Sequence, residues 1–247
     1  MANDICIFKR TEKKYMLSPV QKERLLGKIG RELIPDPHGL STVCSTYLDT
    51  PGYLLIRNSI DAVSYKEKLR LRSYGVPNGR SQVFLELKKK YNGVVYKRRE
   101  IMKLCEAVQY IESGVLPRRS QIFSEIDYAM RLYKHPRPAV LIAYEREAYF
   151  VKDLPNLRLT FDSGVRYRAD NPLAQYGDHG RLILPRDRIL LEIKTDGAMP
   201  VSFSRALDDC GIFPISFSKY GTAYRDICKY EYQKSNSEGA MKNVSNF

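Results

Sequence analysis

The sequence from Tyr65 to Arg72 reads Tyr-Lys-Glu-Lys-Leu-Arg-Leu-Arg, which places a cation at every second position, at Lys66, Lys68, Arg70 and Arg72. Side chains two residues apart in a β-strand point to the same face of a sheet. The stretch therefore predicts a strand with four positive charges on one side. Because like charges on one face repel each other, this face is expected to contact a strongly anionic partner.

Alternating charge recurs in three further stretches of the chain. It is found at Glu86, Lys88 and Lys90, at Lys97 and Arg99, and at Arg158, Thr160 and Asp162. Several strands with one charged face and one apolar face predict a sheet whose polar side is a binding surface.

Strand, turn and helix signals predict an α+β fold. Eight main strands are expected, over residues 5–15, 42–48, 64–74, 82–91, 94–104, 139–150, 156–162 and 189–195, with a short ninth at 165–169. Asn92-Gly93 favours a tight hairpin, and Ser18, Pro19 and Gln21 predict a capped helix start. Mainly helical segments are expected over 106–134 and after Pro200.

Eight strands are about the number at which a closed barrel is just filled by side chains or one small ligand. The expected architecture is therefore an eight-stranded antiparallel β-barrel with flanking helices. Residues 1–232 are expected to form one domain, and the polar segment 233–247 a disordered tail.

The bulk composition restricts the partners and the compartment. A net charge of +13 over 247 residues favours nucleic acid, acidic lipid or a phosphate compound as partner. The five cysteines are an odd number without a C-x-x-C pair, which argues against a disulfide framework or a structural zinc site and fits a reducing compartment. No signal peptide and no 18-residue apolar run is apparent, so a cytoplasmic protein without a membrane span is expected.

A sheet that closed with its cationic faces inward would enclose about ten lysine and arginine side chains, and such a lumen must be wet and matched by an anion. The planar fork of arginine fits phosphate oxygens bidentately, whereas lysine acts as a movable point charge. A mixture of the two suits a chain of phosphates better than one carboxylate.

Three acidic residues share these faces: Glu12, Glu86 and Glu192. They could neutralise neighbouring lysines, which is the favoured interpretation for Glu86. Alternatively, they could hold Mg²⁺ or Mn²⁺ between protein and phosphate, which is favoured for Glu192 because it lies in an otherwise apolar strand. The chain has neither a G-x-x-x-x-G-K-[ST] loop nor a G-x-G-x-x-G loop. Phosphate would therefore not be bound at a helix N-terminus in the way that either of these loops provides.

With these residues the chain resembles the VTC domain, the catalytic domain of the vacuolar transporter chaperone polyphosphate polymerase, within the triphosphate tunnel metalloenzyme (CYTH-like) superfamily. The matching motifs follow the family's order over nearly the whole chain. They are residues 10–15, Tyr47-Leu-Asp49, 68–72, Leu85-Glu-Leu-Lys88, 96–99, Tyr144-Glu-Arg146, 157–162, Glu192-Ile-Lys194 and Phe217-Ser-Lys-Tyr220.

The resemblance implies an eight-stranded barrel around a basic tunnel, and it assigns a role to eleven residues. The catalytic residues would be Arg70, Arg72, Arg146 and Arg158, the phosphate-binding residues Lys14, Lys88, Lys97, Arg99 and Lys219, and the metal ligands Glu192 and Glu12. The wider superfamily opens with an E-x-E-x-K strand. Here a base, Arg10, replaces the first acid, as in the VTC branch, which leaves the role of Glu12 as a second metal ligand open.

The activity implied is an ATP-dependent polyphosphate polymerase that uses Mn²⁺ or Mg²⁺, with ATP and inorganic polyphosphate rather than nucleic acid as partners. Three alternatives remain at this point: a triphosphatase or polyphosphatase, a non-catalytic polyphosphate or nucleotide sensor, and a nucleic-acid-binding module whose affinity would depend steeply on salt. Eukaryotic members carry an SPX domain and membrane helices. A stand-alone, prokaryotic-type version with a separate membrane partner is therefore expected here.

Overall fold

The computed structural model describes residues 11–61, 64–92 and 94–244, apart from the side chains of residues 38 and 235–244. These residues form ten β-strands and six α-helices. The strands are β1 (Thr11–Leu17), β2 (Leu33–Asp49), β3 (Tyr65–Tyr74), β4 (Gln82–Tyr91), β5 (Val94–Lys103), β6 (Arg137–Val151), β7 (Leu154–Arg168), β8 (Arg181–Leu182), β9 (Ile189–Thr195) and β10 (Pro214–Ile215). The helices are α1 (Pro19–Ile29), α2 (Leu54–Asp61), α3 (Leu104–Ser113), α4 (Gln121–Leu132), α5 (Val201–Asp209) and α6 (Lys219–Val244).

The strands form one antiparallel sheet in the order β10-β1-β9-β7-β6-β2-β3-β4-β5, with β8 beside β7. This confirms the predicted α+β class and the predicted β3–β4–β5 meander. The strand count is ten instead of eight, because β8 and β10 are two-residue strands too short to leave a pattern in the sequence. The predicted closed barrel is not confirmed, since no backbone pairing joins the end strands within the described residues.

The sheet nevertheless curls strongly. Five strands separate β1 from β4 in the sheet order, yet Lys88 Nζ lies 3.8 Å from a carboxylate oxygen of Glu12. Similarly, Lys68 Nζ on β3 donates to Ser218 Oγ, just before α6, at 3.3 Å. A flat sheet could not make these contacts. The sheet therefore has a concave face, which carries the alternating cations of β3.

Helices cover the opposite, convex face. Leu69 and Leu71 alternate with the cations of β3 and pack in a buried cluster with residues of α3 and α4, including Tyr110 and Phe123. A second cluster joins β1, β7 and β9 to α1 and α5. The predicted start of α1 is confirmed, because Gln21 N–H donates to Ser18 Oγ and Ser18 N–H donates to the Gln21 side chain.

One end of the concave face is apolar and lies against α6. Tyr47, Leu190 and Tyr220 belong to this buried cluster, with the Tyr47 and Tyr220 rings stacked at 4.4 Å. Asp49 anchors it, since its carboxylate accepts the backbone N–H groups of Leu55 and Ile56 on α2 and the hydroxyl of Tyr220 on α6. This network holds the first residues of α6, Lys219 among them, at the floor of the concave face.

Two strands differ from prediction. The expected strands at 156–162 and 165–169 are one strand, β7, with a register shift near Gly164. Gly164 has φ +56°, and a side chain at this position would collide with the Glu145 carboxylate. Glycine is typical of turns, so it interrupts the strand pattern in the sequence, but the strand itself continues through it. β2 begins at Leu33 instead of at the predicted residue 42. Proline usually interrupts a sheet, but the prolines at 35 and 37 lie at an irregularity in the pairing of β2 with β6, where proline is tolerated.

Three further predictions concern the first strand, the C-terminal tail and membrane spans. The first part of the first predicted strand, residues 5–10, lies outside the described residues. It includes Arg10, the base that replaces the first acid of the E-x-E-x-K strand. Helix α6 continues to Val244, into the segment 233–247 for which disorder is expected, and that expectation stays a prediction. In the described part of the chain, no helix combines the length and apolar character needed to cross a bilayer.

Candidate functional site

Glu86 forms the first of two ionic clusters on the concave face. Its side chain is completely buried. One carboxylate oxygen accepts from Arg70 at 2.7 Å, and the other accepts from Arg99 at 2.6 Å and Lys97 at 2.8 Å. The register explains this arrangement, because Arg70, Glu86 and Arg99 lie opposite one another on β3, β4 and β5. Glu86 therefore neutralises part of the charge that the strand pattern concentrates here.

Arg72 and Lys68 flank this cluster on β3. Arg72 is 8% exposed and donates from Nε to Ser45 Oγ at 3.2 Å. Lys68 donates to Ser218 Oγ. Within the described residues, neither side chain lies within 4 Å of a carboxylate oxygen. These two cations are therefore poorly neutralised by the protein and are available to an anionic ligand.

Glu192 and Asp162 form the second cluster. Arg146 makes a two-pronged interaction with Asp162, with N–O distances of 2.6 and 2.7 Å. Lys219 Nζ bridges the two carboxylates, at 2.6 Å from Asp162 and 2.9 Å from Glu192. Asp162 is completely buried, and it fixes both cations in place.

Glu12 joins the two clusters. Two lysines lie between its carboxylate and that of Glu192. Lys14 Nζ is 3.4 Å from the Glu12 carboxylate and 3.9 Å from that of Glu192. Lys194 Nζ is 3.9 Å from the Glu12 carboxylate and 3.4 Å from that of Glu192. Lys88 of β4 approaches Glu12 from the other side at 3.8 Å. Glu12 therefore links β1 to β4 across the concave face.

Arg158 lies at the margin of the site. Its Nη2 donates to Asp36 at 2.6 Å, its guanidinium stacks over the Phe150 ring, and its side chain is 42% exposed. Asp36 belongs to the irregular part of β2. No pattern in the sequence indicated that this carboxylate would reach β7.

The concave face carries a surplus of positive charge. Among the side chains whose contacts are described above, eleven cations meet five carboxylates, which leaves six positive charges. The cations are Lys14, Lys68, Arg70, Arg72, Lys88, Lys97, Arg99, Arg146, Arg158, Lys194 and Lys219, and the carboxylates are those of Glu12, Asp36, Glu86, Asp162 and Glu192. Burying such a surplus is costly unless an anion offsets it.

The electrostatic environment shifts several pKa values. Burial opposes ionisation of Glu86 and Glu192. Even so, Arg70 and Arg72 hold the pKa of Glu86 below its ordinary value, and Lys219 and Lys194 hold that of Glu192 well below. Burial lowers the pKa of Lys68 to about 8, assisted by Lys14 and Lys88. The carboxylates are therefore ionised at neutral pH, whereas Lys68 titrates close to it.

Lys97 and Tyr47 also titrate near neutral pH. Burial lowers the pKa of Lys97 to about 8. The tyrosine phenol is buried, which opposes ionisation, but Arg70, Lys68 and Arg72 lower its pKa to about 8. Its hydroxyl accepts a long hydrogen bond from Arg70 at 3.5 Å. Tyr47 thus links the cation array to the apolar end of the face.

The residues fit one kind of divalent metal site. The described residues contain no cluster of three His, Cys, Asp or Glu side chains that could enclose a metal. Magnesium, however, is commonly bound through one or two carboxylates with substrate phosphates and water as its other ligands. Glu192 and Glu12, which share Lys14 and Lys194, match this donor set. They would hold a metal only together with a phosphate ligand.

The structure brings the predicted site residues together on the concave face, with Arg158 at its margin. Their individual roles stay predictions. Asp162, Lys194, Lys68 and Tyr47 lie within the motifs shared with the VTC domain, but the resemblance assigned no individual role to them. The alternation of charge had also placed Lys68 and Asp162 on charged strand faces. Their contacts depend on how the strands pair, which the motifs do not show.

Comparison with solved structures shows the same fold in a candidate adenylate cyclase from Bacillus halodurans. That protein has 15% identity and a TM-score of 0.51, with 84% of this chain and 92% of that one covered. A candidate adenylate cyclase from Vibrio parahaemolyticus has 12% identity and a TM-score of 0.44, with coverages of 88% and 98%. No curated protein matches the chain.

The comparison with family models is decisive. The model described as the VTC domain matches residues 9–227, a span that includes β1 to β10 and the first part of α6. Every residue of the two ionic clusters lies within this match. The chain belongs to the VTC domain family.

Proposed function

We propose that this protein is an ATP-dependent polyphosphate polymerase that transfers the γ-phosphoryl group of ATP to the end of a polyphosphate chain. The surplus of six positive charges on the concave face supports the proposal most strongly, because a flexible chain of phosphates can neutralise it. In this proposal the curled sheet is the wall of a triphosphate tunnel. The odd number of cysteines supports placing the enzyme in a reducing compartment such as the cytoplasm.

The arginines would bind the reacting phosphates. Phosphoryl transfer depends mainly on positioning and on neutralising charge on the non-bridging oxygens. Arg70, Arg72 and Arg146 are suited to this task because their forks are held by Glu86, Ser45 and Asp162. Arg158 would contact the same phosphates from the margin. Lys14, Lys88, Lys97, Arg99 and Lys219 would hold the donor and the product chain.

The carboxylates support phosphate as the acceptor in preference to water. Activation of water would require a general base, and such a base must be free to take a proton. Glu86, Asp162, Glu192 and Glu12 each lie within 4 Å of two or more cations, and the pKa values of Glu86, Glu192 and Glu12 are lowered. A terminal phosphate oxygen is already anionic and needs no base. Its attack on the γ-phosphorus breaks the bond to the β-phosphate oxygen and releases ADP.

A divalent metal held by Glu192, with Glu12 as a second ligand, would supply further neutralisation of the transferred group. Glu192 would need to exchange part of its contact with Lys219 and Lys194 for the metal. The released lysines would then be free to contact phosphate. Mn²⁺ and Mg²⁺ both suit such an oxygen donor set.

The test is incubation of the purified protein with ATP and Mn²⁺, with gel analysis of the products and an assay of free phosphate. We expect a ladder of polyphosphate together with ADP. Free phosphate without a ladder would contradict the proposal and indicate a triphosphatase. Tight binding of polyphosphate without turnover would instead indicate a sensor.

We expect the affinity for inorganic triphosphate to fall as the pH rises from 7 to 9. Burial lowers the pKa values of Lys68 and Lys97 to about 8, so both lose their charge over this interval. Replacing Lys68 with methionine should weaken triphosphate binding at pH 7 by roughly tenfold and make the dependence on pH shallower. Isothermal titration calorimetry without metal, at several pH values, measures both effects.

Folding stability should show the opposite pH dependence for Lys68. Because its folded pKa lies below the ordinary value of 10.5, the unfolded chain binds the proton more tightly between pH 8 and 10.5. The contribution of Lys68 to stability therefore rises with pH over that range.

The matched control for the binding experiment is Lys28→Met, which alters the exposed Lys28–Asp209 pair. This variant should change neither the affinity for triphosphate nor the pH dependence of that affinity. If the triphosphate affinity of Lys68→Met fell as steeply with pH as that of the wild type, the role assigned to Lys68 would be contradicted.

A further inference from the structure

Thr160 carries a buried hydroxyl without a hydrogen-bond partner. The residue is 2% exposed, and Oγ1 has no partner within the described part of the chain. By contrast, the hydroxyl of the equally buried Thr46 donates to the carbonyl of Pro172 at 2.7 Å. A buried hydroxyl without a partner destabilises a protein, so its presence requires an explanation.

The hydroxyl lies on the concave face. Leu159 and Phe161, on either side of it in the chain, are buried against the convex-face helices. Thr160 therefore points to the opposite face, together with Arg158 and Asp162. It lies directly opposite Glu192 in the pairing of β7 with β9. Its position is thus between the second ionic cluster and the margin of the site.

A second unpartnered donor lies beside it. The Nε atom of Arg158 is buried and lacks a hydrogen-bond partner, although Nη2 of the same guanidinium binds Asp36. Arg158 and Thr160 are two residues apart on one strand face, a separation of about 7 Å along the strand. Two neighbouring donors on a cationic face can both be satisfied by the oxygens of one phosphate group.

We propose that Thr160 is a further phosphate-binding residue, whose hydroxyl donates to a non-bridging oxygen of the phosphate that Arg158 contacts. This inference rests on the proposed function, because it requires a triphosphate or polyphosphate on the concave face. The side chains of Arg158 and Lys194 are 42% and 25% exposed, so an incoming ligand meets them first and Thr160 behind them.

The test compares Thr160→Val, Thr160→Ser and Thr46→Val in the full chain. Each variant is analysed for its melting temperature without ligand and for its affinity for inorganic triphosphate by calorimetry without metal. Thr160→Val should keep or raise the melting temperature, because it removes an unsatisfied polar atom, and should weaken triphosphate binding about fivefold or more. Thr160→Ser should bind as the wild type does. Thr46→Val should show the reverse pattern, with a lower melting temperature and unchanged affinity.

Three results would overturn the inference. Wild-type affinity in Thr160→Val would show that the hydroxyl does not contact phosphate. A melting temperature as low as that of Thr46→Val would show that the hydroxyl has a structural partner instead. Failure of the wild type itself to bind triphosphate would refute the proposed function and the inference together, whereas either of the first two results would refute the inference alone.

Discussion

Replacing Arg72 with alanine is expected to lower kcat/KM for polyphosphate synthesis by about 10³-fold or more. Arg72 lies on the concave face beside Glu86, and its guanidinium is held by Ser45. Its charge is therefore in place before a phosphate arrives. Steady-state kinetics with ATP and Mn²⁺ measure the effect, and the lysine variant should recover only part of the activity because lysine lacks the planar fork.

The fold of the Arg72→Ala variant should remain intact. Among the described residues no carboxylate oxygen lies within 4 Å of Arg72. Glu86, whose pKa Arg72 helps to lower, keeps Arg70, Lys97 and Arg99 as direct partners when Arg72 is removed. The free energy of unfolding is expected to fall by no more than about 1–3 kcal/mol, because Arg72 is buried and its loss leaves the Ser45 hydroxyl without a donor. Arg98→Ala is the matched control, since Arg98 is paired with Glu125 of α4, away from the concave face, and its loss should leave kcat/KM unchanged. Normal turnover in Arg72→Ala would refute the assigned role.

Replacing Glu86 with glutamine is expected to destabilise the fold by about 3–5 kcal/mol at neutral pH. The substitution preserves shape but leaves Arg70, Lys97 and Arg99 without their shared buried counter-ion. Unfolding by urea measures the loss. Glu125→Gln removes the partner of Arg98 on the helix-covered side and should cost less than about 1 kcal/mol, because both partners are about one-third exposed.

Two further readouts separate charge compensation from simple packing. Glu86 has a folded pKa below its ordinary value of 4.5, so its contribution is complete above that pH and is lost as the pH falls below it. The stability difference between wild type and Glu86→Gln should therefore shrink in acid. Inorganic triphosphate should also stabilise the variant more than the wild type, since phosphate can replace the missing negative charge. A variant as stable as wild type at pH 7 would contradict the role of Glu86 as counter-ion.

This arrangement also changes the expectation for Glu192. As a metal ligand alone, Glu192 could be replaced with alanine with loss of turnover and an intact fold. The structure surrounds its carboxylate with Lys14, Arg146, Lys194 and Lys219, all within 4 Å. Removal of the acid would leave these cations less neutralised. Loss of activity in Glu192→Ala would consequently be difficult to separate from loss of stability, and Arg72 is the clearer test.

Much of the fold could be predicted from local patterns. The alternation in Tyr65–Arg72 gave the orientation of β3, because a period of two is a local property of extended backbone. The turn at Asn92 joined β4 to β5 as expected, with Asn92 at φ +46°. Strand ends were less accurate at Gly164 and at the prolines before Leu40, where an irregularity interrupts the pattern without ending the strand.

The site was predictable as a set of residues but not as an arrangement. The resemblance to the VTC domain assigned eleven residues, and the structure places them on one concave face. The resemblance did not indicate that Glu86 would bind two arginines and a lysine, or that Asp36 would hold Arg158. These pairs join residues that lie on different strands or far apart in the chain.

The sequence by itself determined the strand faces, the surplus of positive charge and the family of this protein, because alternation, composition and motif order are properties of the chain alone. Only the tertiary structure decided which cations are neutralised and which, like Arg72 and Lys68, are left for a ligand. That partition depends on how far the sheet curls, since curling brings β1 and the start of α6 against β3 and β4. Curvature accumulates from the twist between neighbouring strands and from the register shifts in β2, β6 and β7, so it is a property of the whole sheet that the pattern of no single strand encodes.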